Sequence, residues 1–297
     1  MEVTSILRRH GIQPSKGLGQ NFLVDPRIQQ RIVEAADLDR EDIVLEIGPG
    51  LGLLTREMAA RAGHVVAVEL DRRMIEVLQD TLSGLDHVHV IQGDILEIDP
   101  PTAIIQALGL PDAKELAYKV VANLPYYITS AVLRHVLNTA PRPQQITVMV
   151  QREVAQRIVA KPGDLSLLAI GVQVFGQPRI AFRVPAGAFF PRPKVDSALL
   201  QIDVYPEPRV PLEQLDAFFT VVRAGFGQKR KQLHNSLASQ LPLPHDVIRD
   251  ALEQAGIDSR RRAQTLSIEE WLALLNTLHQ CGTNGMPLTS EGTGKSG

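Results

Sequence analysis

Cysteine is nearly absent from this sequence of 297 residues, in which Cys281 is the only one. A single thiol excludes disulfide bonds within the chain and zinc sites built from several cysteines, and it fits a reducing compartment. No stretch approaches the roughly 20 consecutive apolar residues that a membrane-spanning helix needs. The first residues also lack the apolar segment of a secretion signal. We therefore expect a cytoplasmic protein with no membrane partner.

An excess of charge of one sign is also lacking, because 31 Lys and Arg residues face 33 Asp and Glu residues. The net charge of −2 therefore gives no indication of a nucleic-acid partner. The cations nevertheless cluster locally, at Lys229-Arg230-Lys231 and at Arg260-Arg261-Arg262. Such clusters can form a phosphate-binding face on a near-neutral chain. Charge alone leaves open the alternative, in which they are solvated helix faces.

Short apolar runs alternate with helical patterns over the first two-thirds of the chain. The runs occupy residues 43–48, 64–70, 88–94, 118–127 and 145–151. This alternation predicts an α/β fold with a mostly parallel, doubly wound, Rossmann-like sheet. Three later stretches are predicted to supply the last strands, paired antiparallel at one edge: 165–175, 179–185 and 195–204.

The chain changes character at a proline-rich linker, residues 205–211, after which every pattern is helical. The predicted organisation is one domain over residues 1–205, a small helical domain over 206–280 and a tail over 281–297. The tail is too polar to bury a core and is predicted to be disordered. Ser267 followed by Glu270 predicts a capping box at the start of the last helix.

A glycine-rich loop, Glu46-Ile47-Gly48-Pro49-Gly50-Leu51-Gly52, joins the first strand to its helix. Glu69 ends the second strand about 20 residues later, where a carboxylate can accept both hydroxyls of a ribose. NAD sites share this pair of features, so the pattern is ambiguous. The G-x-G-x-G spacing and the acid at Glu46, which suits a cationic ligand, favour S-adenosylmethionine over a dinucleotide.

Asp94 follows the third strand and adds an acid at the same sheet edge. Ligands of doubly wound folds lie across the carboxyl ends of the strands, where Asp94 can accept a hydrogen bond from the adenine amino group of a cofactor. The alternative is that Asp94 caps a helix that begins near Ile95. Three acids after three successive strands favour the cofactor interpretation.

Asn123-Leu124-Pro125-Tyr126, after the fourth strand, indicates the reaction. The N6 amine of adenine is a poor nucleophile because its lone pair is delocalised into the ring. Acceptors on both N6 hydrogens localise that lone pair, and the Asn123 side-chain oxygen and the Leu124 carbonyl can supply them. Tyr126 offers a face for a base taken out of its stack. A turn with a core tyrosine is the alternative.

Two further segments contribute candidate residues. Phe189, in the segment Ala188–Ser197 that contains Pro191 and Pro193, is predicted to close over the other face of the target base, unless it is a core residue. Near the start of the chain, Gln20-Asn21-Phe22-Leu23 can fold back over a cofactor, where Asn21 or the Leu23 backbone would meet its amino-acid end.

These motifs together resemble the ribosomal RNA adenine N6,N6-dimethyltransferases, and specifically the bacterial small-subunit (16S) enzymes whose loss gives kasugamycin resistance. The resemblance runs from about Lys16 to Leu278 and includes GQNFL, EIGPGLGLLT, VAVELD, GDIL, NLPYYIT, QREVAQRI, AFFPRPKVDS and FGQKRKQLHNSL. It implies a class I methyltransferase fold with a helical RNA-docking domain. It also implies contacts to S-adenosylmethionine from six residues: Asn21, Leu23, Gly48, Glu69, Asp94 and Asn123.

The implied substrate is a pair of adjacent adenosines in the 3'-terminal hairpin of 16S rRNA, within the small subunit or its precursor. Asn123, Leu124 and Tyr126 are implied to hold the target adenine and Phe189 to stack on it, with RNA docked through Lys229, Arg230 and Lys231. No metal is implied, and we expect a monomer.

The sequence departs from the family pattern at Tyr127, where many relatives have Asn, at the bulky Phe190 and at the short loop 161–165. These departures affect the target pocket rather than the cofactor site. Three alternatives stay open. They are a 23S rRNA dimethyltransferase that confers macrolide resistance, a non-catalytic nucleic-acid-binding factor on the same scaffold, and an NAD-dependent oxidoreductase.

Overall fold

The computed structural model describes residues 2–15, 17–113 and 116–282. Its contacts divide the chain into two compact units. Residues up to Gln156, together with Gly176–Pro206, form the first unit. Arg157–Phe175 and the residues from Glu207 onward form the second.

The division differs from the predicted domains in one segment, because residues 157–175 cluster with the second unit. The backbone N–H groups of Gly163 and Leu165 both donate to the carbonyl of Gln264, at 3.0 and 3.1 Å. The Gln264 side chain returns a hydrogen bond of 2.8 Å to the Gly163 carbonyl. These bonds fasten the short loop 161–165 to the helical unit, which a linear pattern cannot reveal.

A seven-stranded sheet with the order β4-β3-β2-β5-β6-β9-β7 organises the first unit. Its strands are β2 (Ile43–Ile47), β3 (His64–Glu69), β4 (Val88–Gln92), β5 (Lys119–Asn123), β6 (Gln145–Gln151), β7 (Gly176–Val184) and β9 (Ser197–Val204). The five strands β2–β6 pair in parallel, whereas β9 lies antiparallel to both β6 and β7. The predicted α/β fold with a mostly parallel sheet and an antiparallel edge is therefore confirmed.

Three helices of the first unit begin at an aspartate whose side chain accepts backbone hydrogen bonds. The helices of this unit are α1 (Glu2–Arg9), α2 (Pro26–Ala35), α3 (Leu53–Ala59), α4 (Arg72–Thr81), α5 (Pro100–Leu108), α6 (Thr129–Asn138) and α7 (Arg152–Ile158), the last of which ends in the second unit. Asp25, Asp71 and Asp99 cap α2, α4 and α5 by accepting from backbone N–H groups of the first turn. Such caps satisfy donors that a helix leaves unpaired at its N-terminus.

The prediction of a strand over 165–175 was wrong, because this segment contains the helix α8 (Leu167–Gln173). Ser166 caps the helix with a 3.2 Å hydrogen bond from the Ala169 N–H to its hydroxyl. A short, continuously apolar run fits a buried helix as well as a buried strand, so its periodicity did not distinguish them.

A two-stranded ribbon, which the sequence pattern did not indicate, joins two distant segments of the first unit. Its strands are β1 (Phe22–Leu23) and β8 (Phe189–Phe190), paired antiparallel so that Phe22 faces Phe190 and Leu23 faces Phe189. A further hydrogen bond of 2.8 Å runs from the Val24 N–H to the Ala188 carbonyl. We call residues 17–24 the strap, since this ribbon fastens them to the rest of the unit.

After the linker, the second unit contains the helices α9 (Leu215–Phe226), α10 (Leu233–Ala238), α11 (His245–Gln254) and α12 (Ile268–Gly282). The capping box is confirmed by hydrogen bonds from the Ser267 N–H to Glu270 (2.8 Å) and from the Glu270 N–H to Ser267 (3.2 Å). Cys281 and Gly282 belong to α12, so the predicted tail would begin two residues later, and residues 283–297 lie outside the described part. Over the described residues, no helix is long and apolar enough to cross a membrane.

Candidate functional site

A cavity in the first unit lies at the carboxyl ends of the parallel strands. It is bordered by the strap, by the loop after β2, by the ends of β3 and β4, and by the loop after β5. Among the predicted site residues, eight line it: Asn21, Leu23, Gly48, Glu69, Asp94, Asn123, Leu124 and Tyr126. This is the position at which doubly wound folds bind ligands.

The glycine loop after β2 leaves room in the cavity and places a buried carboxyl beside it. Gly48 has a φ of +70°, and a Cβ atom added there would meet nothing within 4 Å. Glu46, which also lines the cavity, is 1% exposed. Burial raises the pKa of Glu46 to about 8, the Thr55 hydroxyl lowers it and the nearby Glu69 carboxylate raises it. Its Oε2 atom is buried and has no hydrogen-bond partner among the described residues.

Glu69 braces the same loop while it faces the cavity. One carboxylate oxygen accepts from the Gly50 N–H at 3.0 Å and the other accepts from the Asp71 N–H at 2.8 Å. Burial raises the pKa of Glu69, and these backbone hydrogen bonds oppose that rise. Each oxygen keeps a lone pair, so the carboxylate can still accept two hydroxyls of a ligand.

Asp94 combines the two roles that the sequence left open. Its Oδ1 atom accepts from the Leu96 N–H at 2.9 Å and so caps the turn that follows β4. The residue also lines the cavity. The second carboxylate oxygen is therefore in a position to accept from a ligand amine.

The strap is held against the cavity through its polar groups. The Asn21 side chain donates to the Gly19 carbonyl at 3.0 Å, and the Leu23 carbonyl accepts from the Gln29 side chain at 2.9 Å. Gln20 donates to Asp71 at 2.9 Å. Sequence analysis included Gln20 in this segment without predicting its bond to Asp71, and it did not single out Gln29, since a glutamine side chain carries no signal of a long-range contact.

Asn123 at the end of β5 is oriented by the strap. Its Nδ2 atom donates to the Asn21 backbone carbonyl at 3.0 Å. A carbonyl can only accept, so this bond fixes which end of the Asn123 amide faces the strap. The Oδ1 atom is left as an acceptor beside the cavity, which is the arrangement that a target amine requires.

Tyr126 is anchored by a residue that sequence reasoning did not single out. Its hydroxyl forms a 2.8 Å hydrogen bond with the hydroxyl of Ser197, which is fully buried at the start of β9. Burial raises the pKa of Tyr126, and the bond to Ser197 opposes that shift. The adjacent Asp196 accepts from the Ala186 N–H and pairs with Arg183. In the sequence, the serine of Val195-Asp196-Ser197 was the signal that could have indicated this contact.

Removal of either hydroxyl is expected to destabilise the first unit. Tyr126→Phe and Ser197→Ala each leave a part-buried polar group without its partner, which lowers the free energy of unfolding by about 1 kcal/mol. The double variant should lose little more than the larger single loss, because both changes remove one bond. Denaturant unfolding of the wild type, the two single variants and the double variant measures these losses. Fully additive losses would contradict a hydrogen bond between Tyr126 and Ser197.

Phe189 does not line the cavity, in contrast to the prediction. It is 4% exposed and packs in the core with Leu23, Ile28 and Ile32. The reason is the register of the ribbon, in which opposite residues of an antiparallel pair share one face. Leu23 and Phe189 therefore face the core together. Phe190 lies on the opposite face and is 42% exposed.

The two predicted basic clusters of the second unit differ in their ion pairing. Lys229, Arg230 and Lys231 are exposed in the loop between α9 and α10 rather than in a helix, and no ion pair involves them among the described residues. Arg261 instead pairs with Glu270 and also bonds Thr265, so it has a structural role. Arg260 pairs with Asp258 at 3.0 Å.

A family model described as ribosomal RNA adenine dimethylase matches residues 12–280. A ribosomal RNA small subunit methyltransferase A from Moorella thermoacetica is 45% identical over 276 residues, which is 92% of this chain and 96% of the relative. A protein of the same name from Pelotomaculum thermopropionicum is 45% identical over 287 residues, covering 94% of this chain and 96% of that one.

Two solved structures share the fold over most of the chain. The 23S rRNA methyltransferase ErmE has a TM-score of 0.66 and 32% identity, and the match covers 88% of this chain and all of that one. A dimethyladenosine transferase from Plasmodium falciparum has a TM-score of 0.71 and 26% identity, with 88% and 98% of the two chains covered.

Proposed function

Because the chain belongs to the ribosomal RNA adenine dimethylases, we propose that it transfers methyl groups from S-adenosylmethionine to two adjacent adenosines of 16S rRNA. The product is N6,N6-dimethyladenosine in the 3'-terminal hairpin, formed on the small subunit or its precursor in the cytoplasm by a monomeric enzyme. The observation that carries this proposal is the orientation of Asn123, whose amide donates to the strap and so presents its oxygen to the cavity.

The cavity fits a cationic nucleoside cofactor. Glu69 and Asp94 lie at the ends of two neighbouring strands or in the turns after them, and Glu46 adds a buried carboxyl. A Cβ atom at Gly48 would meet nothing within 4 Å, so the glycine leaves open space. Glu69 would hold the ribose, Asp94 the adenine amine, and Asn21 and Leu23 the amino-acid end. When bound, the sulfonium of S-adenosylmethionine supplies an activated methyl group.

The residues after β5 act on the target base. Asn123 Oδ1 and the Leu124 carbonyl accept the two N6 hydrogens, which keeps the nitrogen lone pair directed at the methyl group. Tyr126, held by Ser197, supports the ring of the base. The remaining contribution would be alignment of the nitrogen with the methyl group of the bound cofactor. N6 would lose a proton to solvent as it gains the methyl group, which leaves one N–H. A second transfer would therefore need a fresh cofactor molecule and would use only one of the two acceptors.

Methyl transfer from radiolabelled S-adenosylmethionine to separate unmodified small and large subunits tests the proposal. Dimethyladenosine in the small subunit alone is the expected result. Label in the large subunit would instead identify a 23S rRNA dimethyltransferase. Bound cofactor without label in either subunit would contradict catalysis on these RNAs.

The exposed cluster Lys229-Arg230-Lys231 is proposed to dock RNA through phosphates. Changing all three residues to alanine should weaken RNA binding. It should also reduce the slope of log Kd against log salt by about 2 to 3, because a protein that contacts fewer phosphates releases fewer counterions on binding. Cofactor affinity should stay unchanged. Arg260→Ala is the matched control, because that guanidinium already pairs with Asp258. An unchanged salt slope in the triple variant would remove the cluster from the docking face.

A further inference from the structure

Tyr127 stands out among the residues that border the cavity. Its side chain is 60% exposed, although the residue lines the cavity and follows directly after Tyr126. The two tyrosines have opposite environments, because Tyr126 is half-buried and bonded to Ser197. An aromatic ring left open to water beside a ligand cavity is a candidate contact for something outside the cavity.

The exposed ring is supported from one side by the strap. A Cβ atom added to Gly19 would lie 3.2 Å from two atoms of the Tyr127 ring, so the ring rests on the bare backbone of this glycine. Gly19 also has a φ of +60°, which a side chain tolerates poorly. Position 19 is thereby suited to glycine on two grounds, and the Cδ1–Cε1 side of the ring lies close to this backbone.

The same backbone leads to the catalytic amide. The Gly19 carbonyl accepts from the Asn21 side chain, and the Asn21 carbonyl accepts from Asn123, each at 3.0 Å. Tyr127 therefore rests on the segment that orients Asn123. A group stacked on Tyr127 would lie beside the base that Asn123 holds.

We propose that Tyr127 stacks on the nucleobase next to the target adenine in the RNA strand. This inference rests on the proposed function. A base that leaves its stack to enter the cavity uncovers a face of its neighbour, and an aromatic ring at the cavity mouth replaces the lost contact. The target base itself goes inward to Asn123, Leu124 and Tyr126, which leaves the outward ring to the neighbour.

The effect on affinity can be isolated with a pair of RNAs. One is a hairpin with two adjacent adenosines, and the other carries an abasic ribose in place of one of them. Stacking on an aromatic side chain contributes about tenfold or more in affinity. Wild-type protein should bind the intact hairpin about tenfold more tightly than the abasic hairpin. Tyr127→Ala should bind both with the weaker Kd, and Tyr127→Phe should restore the difference.

Two controls exclude other causes. Leu212→Ala removes a side chain of equal exposure from the second unit and should keep the wild-type preference. The Kd for S-adenosylmethionine should change less than about twofold in Tyr127→Ala. Equal losses on both RNAs, no loss on either, or a parallel loss of cofactor affinity would overturn the proposal. Methyl transfer by the wild type tests the proposed function separately, since the comparison of hairpins depends on binding alone.

Discussion

Asn123→Ala is expected to lower the rate of methyl transfer by about 10² to 10³, which is the usual effect of deleting one preorganised group that acts in the transition state. The variant loses the acceptor for one N6 hydrogen. It also loses the 3.0 Å bond to the Asn21 carbonyl, so the strap is held less firmly. Cofactor affinity should therefore fall by a smaller factor than the rate.

Single-turnover transfer and calorimetric binding of S-adenosylmethionine separate the two effects. Asn138→Ala is the matched control, because this exposed asparagine at the end of α6 bonds only the Arg134 carbonyl among the described residues. Asn123→Asp is informative as well, since it keeps an acceptor but cannot donate to Asn21. Normal turnover in Asn123→Ala would show that the catalytic assignment is wrong.

Glu46→Gln is expected to change how stability depends on pH. In the folded protein burial raises the pKa of Glu46 to about 8, against 4.5 for the unperturbed side chain. The folded state therefore keeps a proton that the unfolded chain releases between these values. The contribution of Glu46 to the free energy of unfolding is therefore fully present below pH 4.5. It declines by about 1.4 kcal/mol per pH unit until about pH 8.

Glutamine imitates the protonated carboxyl and has no such titration. The melting temperature of Glu46→Gln should therefore match that of the wild type below pH 4.5 and exceed it increasingly up to about pH 8. Thermal unfolding of both proteins without cofactor measures this difference in melting temperature. Other titrating groups, including Glu69, are present in both proteins, so their contributions largely cancel when the two are compared. Glu76→Gln, an exposed position on α4, is the control. A difference independent of pH would contradict the shifted pKa of Glu46.

The parts of the fold that repeat a local pattern could be predicted from the sequence. Strand β6 was predicted at residues 145–151 and has those bounds, because an apolar run between polar ends specifies a buried strand. The capping box at Ser267 is equally local, since both of its hydrogen bonds join residues three apart. Asp94, Glu69 and Asn123 could be placed at one sheet edge because parallel strands bring their ends together.

Features that depend on distant register could not be predicted. The ribbon β1–β8 has two residues in each strand, too few to show a period of two. Its register decides that Phe189 faces the core and Phe190 does not. Neither the aromatic-proline pattern nor the resemblance could decide between the predicted contact with the base and the core alternative. The bond between Tyr126 and Ser197 joins residues 71 apart, and no spacing rule connects them.

The strap also determines when the site can be completed during synthesis. Residues 43–151 can pair the five parallel strands of the sheet as they emerge, whereas Phe22 must wait for its partner Phe190. At typical elongation rates of about 5 to 20 residues per second, that wait lasts roughly 10 to 30 seconds. Nascent chains released before residue 190 would contain the glycine loop, Asn123 and the polar partners of the strap, but not the β1–β8 ribbon. The cavity is therefore among the last parts of the first unit to be finished.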